Sequence, residues 1–217
     1  MAQRSLGKHL WYEVLHVICR LGAVVLFRTR VAGRQHLPAT GGALVLANHQ
    51  SQLDPVLVGL ASDRRLNYLA RQTLFRFAPF RWLIQSFDAI PIDREGIGLG
   101  GLKETLKRLK RGELVLIFPE GTRTCDGEVA PLKPGFIALA RRGGAPLVPV
   151  GIDGAFQAWP RSQALPCQAV IHLVFGPPLA QAEMARLDDN ALLAEVESRI
   201  RACHALARLG RARSAGS

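Results

Sequence analysis

Short apolar runs, bounded by glycine, proline and polar residues, recur along most of the chain. Runs of this length, rich in valine, leucine and isoleucine, predict strands of a buried sheet. The predicted strands cover Ala43–Ala47, Asn67–Ala70, Ala89–Ile92, Leu114–Phe118, Leu147–Ile152 and Ala169–Phe175.

Between these strands, apolar positions recur with a helical period. The predicted helices cover residues 55–61, 73–85, 102–110, 135–142 and 191–209. Strands that alternate with helices predict an α/β domain, with a layered mixed sheet flanked by helices, which we assign to residues 35–210. The small and basic residues 211–217 predict a flexible tail.

Residues 1–34 carry a different pattern. On a helical projection, Glu13, His16 and Arg20 form a narrow polar stripe, and most of the other positions are apolar. Because these residues interrupt the run Leu10–Phe27, we expect neither a transmembrane helix nor a signal peptide. Basic residues on both sides favour an amphipathic helix that lies in or against an anionic membrane surface. The alternative is a helix packed in the core of a soluble domain.

Composition and charge narrow the class of protein. The chain has 217 residues, of which 48% are hydrophobic, and a formal net charge of +11. This combination predicts one domain with a substantial core and excludes intrinsic disorder. The positive charge predicts an anionic partner, either nucleic acid or the acidic head groups of a membrane. The scattered cysteines lack the spacing of metal ligands, so we expect a reducing compartment and no metal site.

A histidine and an aspartate follow the first predicted strand. His49 comes just after Ala43–Ala47, at the edge of the sheet where α/β proteins usually build their sites. Asp54 and Pro55 mark a helix start, in which the aspartate would cap the helix. A loop of this length can also bring the carboxylate to His49 Nδ1–H, which would fix the tautomer and leave Nε2 as a base.

Polar residues also follow the predicted strand Leu114–Phe118. Gly121 permits a tight turn, Thr122 supplies a hydroxyl, and Arg123 carries a planar guanidinium that suits phosphate. This pattern fits a phosphate-binding corner. It fits equally an ordinary strand exit with a surface salt bridge between Glu120 and Arg123.

Two further cations stand at comparable positions. Arg94 follows the predicted strand Ala89–Ile92, and Lys133 precedes the predicted helix 135–142. Each is either an additional phosphate contact or a solvated charge.

Together these segments resemble the 1-acyl-glycerol-3-phosphate acyltransferase family of glycerolipid acyltransferases. Asn48, His49, Ser51 and Asp54 match its N-H-x-S-x-x-D block, and Phe118–Arg123 match its F-P-E-G-T-R block. Two further blocks follow the family's order and are matched by Ile90–Arg94, with Pro91 where an aromatic residue is common, and by Val148–Ile152. Ordered blocks of this length are far more specific than one motif alone.

The resemblance implies the glycerolipid acyltransferase fold and an enzyme of phospholipid biosynthesis. The enzyme would move a fatty acyl group from acyl-CoA or acyl-carrier protein to the free hydroxyl of 1-acyl-glycerol-3-phosphate, forming phosphatidate. His49 would act as the general base, oriented by Asp54. The residues implied to hold the acceptor's glycerol phosphate are Glu120, Gly121, Thr122 and Arg123, with Arg94 assisting. We add Lys133 to the substrate-binding residues as a third cation.

The resemblance also implies partners. They are a membrane lipid surface, a lysophospholipid acceptor and a thioester donor, which is a co-substrate, so that we expect no cofactor. From the compact length and the composition rich in alanine, arginine and leucine, we expect a bacterial enzyme that is peripheral or monotopic at the cytoplasmic face of the inner membrane. The chain has no G-x-S-x-G elbow, which favours direct attack on the thioester without an acyl-enzyme.

Three alternatives remain at this point. Another lysophospholipid or a lyso-ornithine lipid could be the acceptor. Gly96–Gly101 satisfies the G-x-G-x-x-G pattern of an NAD(P) oxidoreductase, with Glu120 about 20 residues further on, but charged residues intervene between the strand and the glycines. A basic face could bind nucleic acid, but the aromatic-bearing strands of an RNA-binding sheet are missing, so we expect no nucleic acid. Its residues are Lys103, Lys107, Arg108, Lys110 and Arg111.

Overall fold

The computed structural model describes residues 21–23, 25–71, 90–92 and 98–215. Its strands form one seven-stranded sheet in the order β1-β7-β6-β2-β5-β3-β4. They are β1 (Arg30–Ala32), β2 (Ala43–Ala47), β3 (Leu66–Arg71), β4 (Ile90–Ile92), β5 (Leu114–Ile117), β6 (Leu147–Asp153) and β7 (His172–Phe175). Neighbouring strands pair in parallel except for β6 and β7, which are antiparallel. The predicted mixed α/β sheet is confirmed.

Helices connect these strands and flank the sheet. They are α1 (Asp54–Ala61), α2 (Gly98–Lys110), α3 (Ile137–Gly143), α4 (Ala155–Ala158), α5 (Gln181–Met184) and α6 (Asp189–Ala215). Residues 21–23 and 25–27 are also helical, within the predicted N-terminal helix, whose earlier part lies outside the described residues. The predicted helix 73–85 lies outside them as well. In the described part of the chain, no helix is both long and apolar enough to cross a membrane.

The central strand β2 is covered on both faces, which explains its uninterrupted apolar sequence. All its residues are buried. Val45 packs in the cluster that contains Leu57 and Val58 of α1. Leu46 packs on the opposite face, in the cluster that contains Leu139 of α3 and Ile200 of α6.

The register of the central strands brings their C-terminal ends to one edge. Leu46 of β2 stands opposite Ile117 of β5, and Ala47 stands opposite Val150 of β6. The residues that follow β2 and β5 therefore leave the sheet side by side, as expected for a site at this edge.

The sheet begins earlier in the chain than the sequence indicated. Strand β1 pairs with β7 through Arg30 and His172, although it lies in residues 1–34, which we assigned to a separate N-terminal segment. A strand of three residues with an exposed arginine offers no run of apolar positions, because β1 is an edge strand held by its backbone.

The last helix extends beyond its predicted end at Leu209. It continues to Ala215, so residues 211–215 of the predicted flexible tail are helical. Arg211 forms an ion pair with Asp153 of β6, and Ser214 Oγ lies 3.1 Å from His172 Nε2 of β7. These contacts hold the final turns of α6 against the sheet.

The glycines at 98, 100 and 101 lie inside a helix. Helix α2 begins at Gly98, so the turn before it contains neither Gly100 nor Gly101. In a dinucleotide fingerprint the first glycine forms the tight turn after the strand, the second lets the pyrophosphate approach the backbone, and the third packs the helix against the strand.

Candidate active site

His49 and Asp54 form a hydrogen-bonded pair at the C-terminal edge of the sheet. His49 Nδ1 lies 2.8 Å from Asp54 Oδ2, as the sequence analysis predicted. The Asp54 side chain is fully buried, and that of His49 is 19% exposed. A carboxylate that accepts at Nδ1 assigns the proton to that nitrogen and leaves the lone pair on Nε2. Such a histidine can act as a general base.

Asp54 begins α1, as expected, but its carboxylate does not cap that helix. The residue before it, Leu53, occupies the N-cap, and no side-chain capping bond is formed. Asp54 Oδ2 instead accepts the backbone N–H groups of Gln50 at 2.6 Å and Ser51 at 2.7 Å. The predicted cap is therefore wrong, because the loop between β2 and α1 folds around this one carboxylate oxygen.

The backbone of His49 is fixed from both sides by the loop after β5. Its N–H donates to Glu120 Oε1 at 2.7 Å, and its carbonyl accepts the N–H of Thr124 at 2.8 Å. The aromatic ring of Phe118 stacks on the imidazole, with ring centroids 4.0 Å apart. These contacts join the two longest sequence blocks into one site.

Glu120 faces inward, although it was expected to contact the acceptor or to form a surface salt bridge. It is 2% exposed. Its second oxygen, Oε2, accepts the N–H of Ala130 at 3.0 Å, so both oxygens are engaged by backbone donors. Burial raises the pKa of Glu120 from 4.5 to about 7, although the hydrogen bonds from His49 and Ala130 oppose this rise. Glu120 therefore holds the backbone at His49 and Ala130, and its contact with the acceptor stays a prediction.

The expected phosphate-binding corner is a turn at Gly121, and the side chain of Lys133 lies against this turn. Gly121 has a φ of 73°, a conformation that favours glycine. The side chain of Lys133 crosses this glycine, and a Cβ added there would lie 3.1 Å from both Lys133 Cδ and Nζ. The Lys133 N–H also donates to the Pro119 carbonyl at 2.9 Å. Lys133 and the turn therefore form one corner, in which Thr122 is exposed and Arg123 is half-buried.

One of the predicted cations, Arg94, is not among the residues that the structure describes. It lies two positions after the end of β4. Its proposed contact with the acceptor stays a prediction. Among the residues that the structure does describe, no group of three or more histidine, cysteine, aspartate and glutamate side chains could hold a metal ion.

Several polar residues that hold the site were not among the predicted site residues. Asn48 is buried and makes a reciprocal pair with the backbone of Ile152, donating at 2.9 Å and accepting at 2.7 Å. Ser51 Oγ donates to the Trp159 carbonyl at 2.9 Å. Both residues belong to the N-H-x-S-x-x-D block, which was the available signal. The buried amide of Gln50 occupies a variable position of that block and gave none.

The fold and the site define an α/β enzyme with a His–Asp pair, of which the aspartate is buried, beside a cationic corner. A protein-family model described as Acyltransferase matches residues 28–153. The chain belongs to the acyltransferase family, and the resemblance found in the sequence is confirmed.

The relatives are named for one activity within this family. A Bacillus subtilis protein named 1-acyl-sn-glycerol-3-phosphate acyltransferase is 34% identical over 166 residues, which cover 76% of this chain and 80% of that protein. A Pseudomonas aeruginosa protein of the same name is 32% identical over 157 residues, which cover 70% of this chain but only 59% of that protein.

A solved structure has the same fold. It is the crystal structure of the 1-acyl-sn-glycerophosphate acyltransferase PlsC from Thermotoga maritima, with a TM-score of 0.78 and 22% sequence identity. The match covers 95% of this chain and 83% of that chain. The expected glycerolipid acyltransferase fold is thereby confirmed.

Proposed function

We propose that the protein transfers a fatty acyl group from a thioester to the free hydroxyl of 1-acyl-glycerol-3-phosphate and forms phosphatidate for phospholipid synthesis. The observation that carries this proposal is the 2.8 Å contact between His49 Nδ1 and Asp54, beside a corner that bears Arg123 and Lys133. The names of the relatives, which identify this acceptor for those proteins, support it.

The chemistry balances with two substrates and the His–Asp pair. His49 Nε2 removes the proton from the acceptor hydroxyl while the oxygen attacks the thioester carbonyl carbon. Asp54 stabilises the imidazolium that forms. The tetrahedral intermediate then collapses, the C–S bond breaks, and the leaving thiolate takes the proton from His49. Either acyl-CoA or acyl-carrier protein can supply the thioester, and the reaction uses no cofactor.

The cationic corner favours an acceptor that bears a phosphate. The guanidinium of Arg123 can bind phosphate oxygens through two parallel hydrogen bonds, and the Lys133 ammonium adds a point charge. A lyso-ornithine lipid has no phosphate, and its anionic group is a single carboxylate. Among the acceptors considered, a lysophospholipid therefore fits best, and the phosphomonoester of lysophosphatidate offers the most negative charge.

The test is the release of free thiol in mixed micelles of lysophosphatidate with palmitoyl-CoA or acyl-carrier protein as donor. We expect acceptor-dependent release by the wild type and a loss of about 10²-fold to 10⁴-fold in His49→Ala, the range for removal of a general base. Gln52→Ala, at an exposed position of the same loop, is the matched control and should retain activity. Absence of release with both donors and with other lysophospholipids would refute the proposal.

We also propose that the enzyme acts at the cytoplasmic face of the inner membrane as a peripheral or monotopic protein. Leu21 and Val25, in helical residues near the N-terminus, are 60% and 72% exposed. The formal net charge of +11 would attract acidic head groups. Co-sedimentation should show binding to anionic vesicles, weaker binding to zwitterionic vesicles and none to oligonucleotides. Binding to oligonucleotides alone would contradict the membrane assignment.

A further inference from the structure

A buried polar cluster lies between the His49 loop and helix α6, and the proposed mechanism gives it no role. Its members are Gln50, next to His49, Asp153 at the end of β6, and His204 on α6, which are 1%, 2% and 4% exposed. Buried polar groups are costly unless they are hydrogen-bonded. The hydrogen-bond partners of these three side chains therefore show which parts of the fold the cluster connects.

The orientation of the Gln50 amide is determined by backbone groups. Its Oε1 accepts the N–H of Ala155 at 3.1 Å and of Phe156 at 3.2 Å. Its Nε2 donates to the carbonyl of Gly127 at 2.7 Å. A flipped amide would place its NH₂ group against two backbone donors and its oxygen against a carbonyl.

This orientation assigns the tautomer of His204. His204 Nε2 lies 3.3 Å from Gln50 Nε2, which can only donate. A hydrogen bond between these two nitrogens requires the imidazole nitrogen to accept, which places the proton of the neutral ring on Nδ1. Asp153 Oδ1 lies 3.5 Å from the same Nε2, and this carboxylate would favour a proton on that nitrogen. The charge of Asp153 is met by Arg211, which donates to its Oδ2, and by Arg208, whose Nε is 3.8 Å from Oδ1.

The hydrogen bond that His204 accepts from Gln50 connects α6 with the loop that carries His49. The backbone N–H of Gln50 donates to Asp54 Oδ2, the oxygen that also holds His49 Nδ1. The side chain and the backbone of Gln50 therefore join His204 to the segment between the base and its aspartate. Helix α6 is a rigid support, since the backbone of β6 at Gly151 lies directly against the backbone of Cys203 and His204.

We propose that His204 is a positioning residue of the acyltransferase site: its Nε2 accepts the hydrogen bond of Gln50 and so holds the His49 loop in register with Asp54 and Glu120. The kinetic consequences rest on the proposed acyl transfer. His204 itself touches no reacting atom. Its loss should slow turnover without weakening the binding of either substrate.

The kinetic test compares three variants in the thiol-release assay. His204→Leu leaves a Gln50 N–H without its acceptor, so we expect kcat to fall about tenfold to a hundredfold, with KM for donor and acceptor within about twofold. His204→Gln presents an amide oxygen at the position of Nε2 and should restore kcat to within about threefold of the wild type. Cys203→Ala is the matched control, because it removes the neighbouring buried side chain of α6 and no bond to the loop.

The thermal unfolding midpoint of each variant separates positioning from stability. The proposal is overturned if Cys203→Ala loses as much kcat as His204→Leu at the same loss of stability. It is also overturned if His204→Gln does not recover activity, or if His204→Leu acts on KM alone.

A second measurement does not depend on turnover. NMR of the full-length protein labelled at the histidine ring nitrogens should show the Nδ1–H tautomer for His204 at neutral pH. Gln50→Met should shift the resonances of both His204 and His49. A proton on His204 Nε2, or a His49 signal unchanged in Gln50→Met, would refute the proposal. If the wild type releases no thiol, the proposed function fails, and this measurement alone decides the role of His204.

Discussion

Glu120 accepts the backbone N–H of His49 at 2.7 Å, although the two residues are 71 positions apart in the chain. The carboxylate also holds Ala130 at 3.0 Å, and so it ties the candidate base to the loop after β5. Burial raises the pKa of this carboxyl group to about 7 despite these two hydrogen bonds. The site therefore contains a buried acid that titrates close to neutral pH.

Glu120→Gln should change how the free energy of unfolding depends on pH. Because the folded pKa of about 7 exceeds the unfolded value of 4.5, the contribution of Glu120 to stability is complete below pH 4.5 and is lost as the pH rises through 7. Relative to the variant, the wild type should lose at most about 3 kcal/mol across this window. Urea unfolding of both proteins over the range measures the difference. Parallel pH curves would contradict the prediction.

Asp54→Asn separates charge from geometry in the His–Asp pair. An amide oxygen can still accept the N–H groups of Gln50, Ser51 and His49 Nδ1, but it cannot stabilise an imidazolium by charge. We expect kcat to fall about 10²-fold to 10⁴-fold with KM nearly unchanged, in the thiol-release assay.

Asp54→Ala is the companion variant. It removes the acceptor of two backbone donors as well as the charge, and should therefore also lower the free energy of unfolding by about 2 kcal/mol or more. If Asp54→Asn kept nearly full kcat, the carboxylate would be needed for the loop conformation alone.

Strands buried on both faces were the most predictable elements of the fold. Strand β2 has the bounds that its apolar run indicated, because burial on both faces leaves no polar position inside it. Helix α6 was predicted to end at Leu209, just before Gly210, but it continues to Ala215. Gly210 lies inside the helix and allows it to pack closely against β7, because a Cβ at this position would lie 2.5 Å from His172 Nδ1.

The site was predictable where its partners are close in sequence. His49 and Asp54 are five residues apart, so loop geometry alone limits where the carboxylate can reach. The inward orientation of Glu120 and the contact between Gln50 and His204, 154 positions apart, depend on tertiary packing. Local patterns carry no information on such pairs, and for this reason neither the burial of Glu120 nor the contact between Gln50 and His204 could be predicted.

Arg123→Ala should weaken binding of the acceptor more than it slows turnover. The half-buried guanidinium stands in the corner that Lys133 crosses, where charge-assisted bonds to phosphate would form. We expect the acceptor KM to rise about tenfold or more, the KM for the acyl donor to stay within about twofold, and Lys133→Ala to show a smaller effect in the same direction. Arg142→Ala removes an exposed arginine of α3 and controls for the loss of one charge. An unchanged acceptor KM in Arg123→Ala would exclude the phosphate role.

Gly151→Ala should separate α6 from the sheet. A Cβ at this position of β6 would lie 2.1 Å from His204 N and 2.2 Å from Cys203 C, and backbone atoms cannot yield as a flexible side chain does. The helix must therefore move, and we expect the free energy of unfolding to fall by about 3 kcal/mol or more, with loss of acyl transfer through the displaced His204. Gly59→Ala in α1 is the matched control, because its Cβ meets nothing within 4 Å and alanine favours a helix by about 0.5–1 kcal/mol. Urea unfolding of the two variants tests this difference, and equal stabilities would show that α6 does not need this close approach.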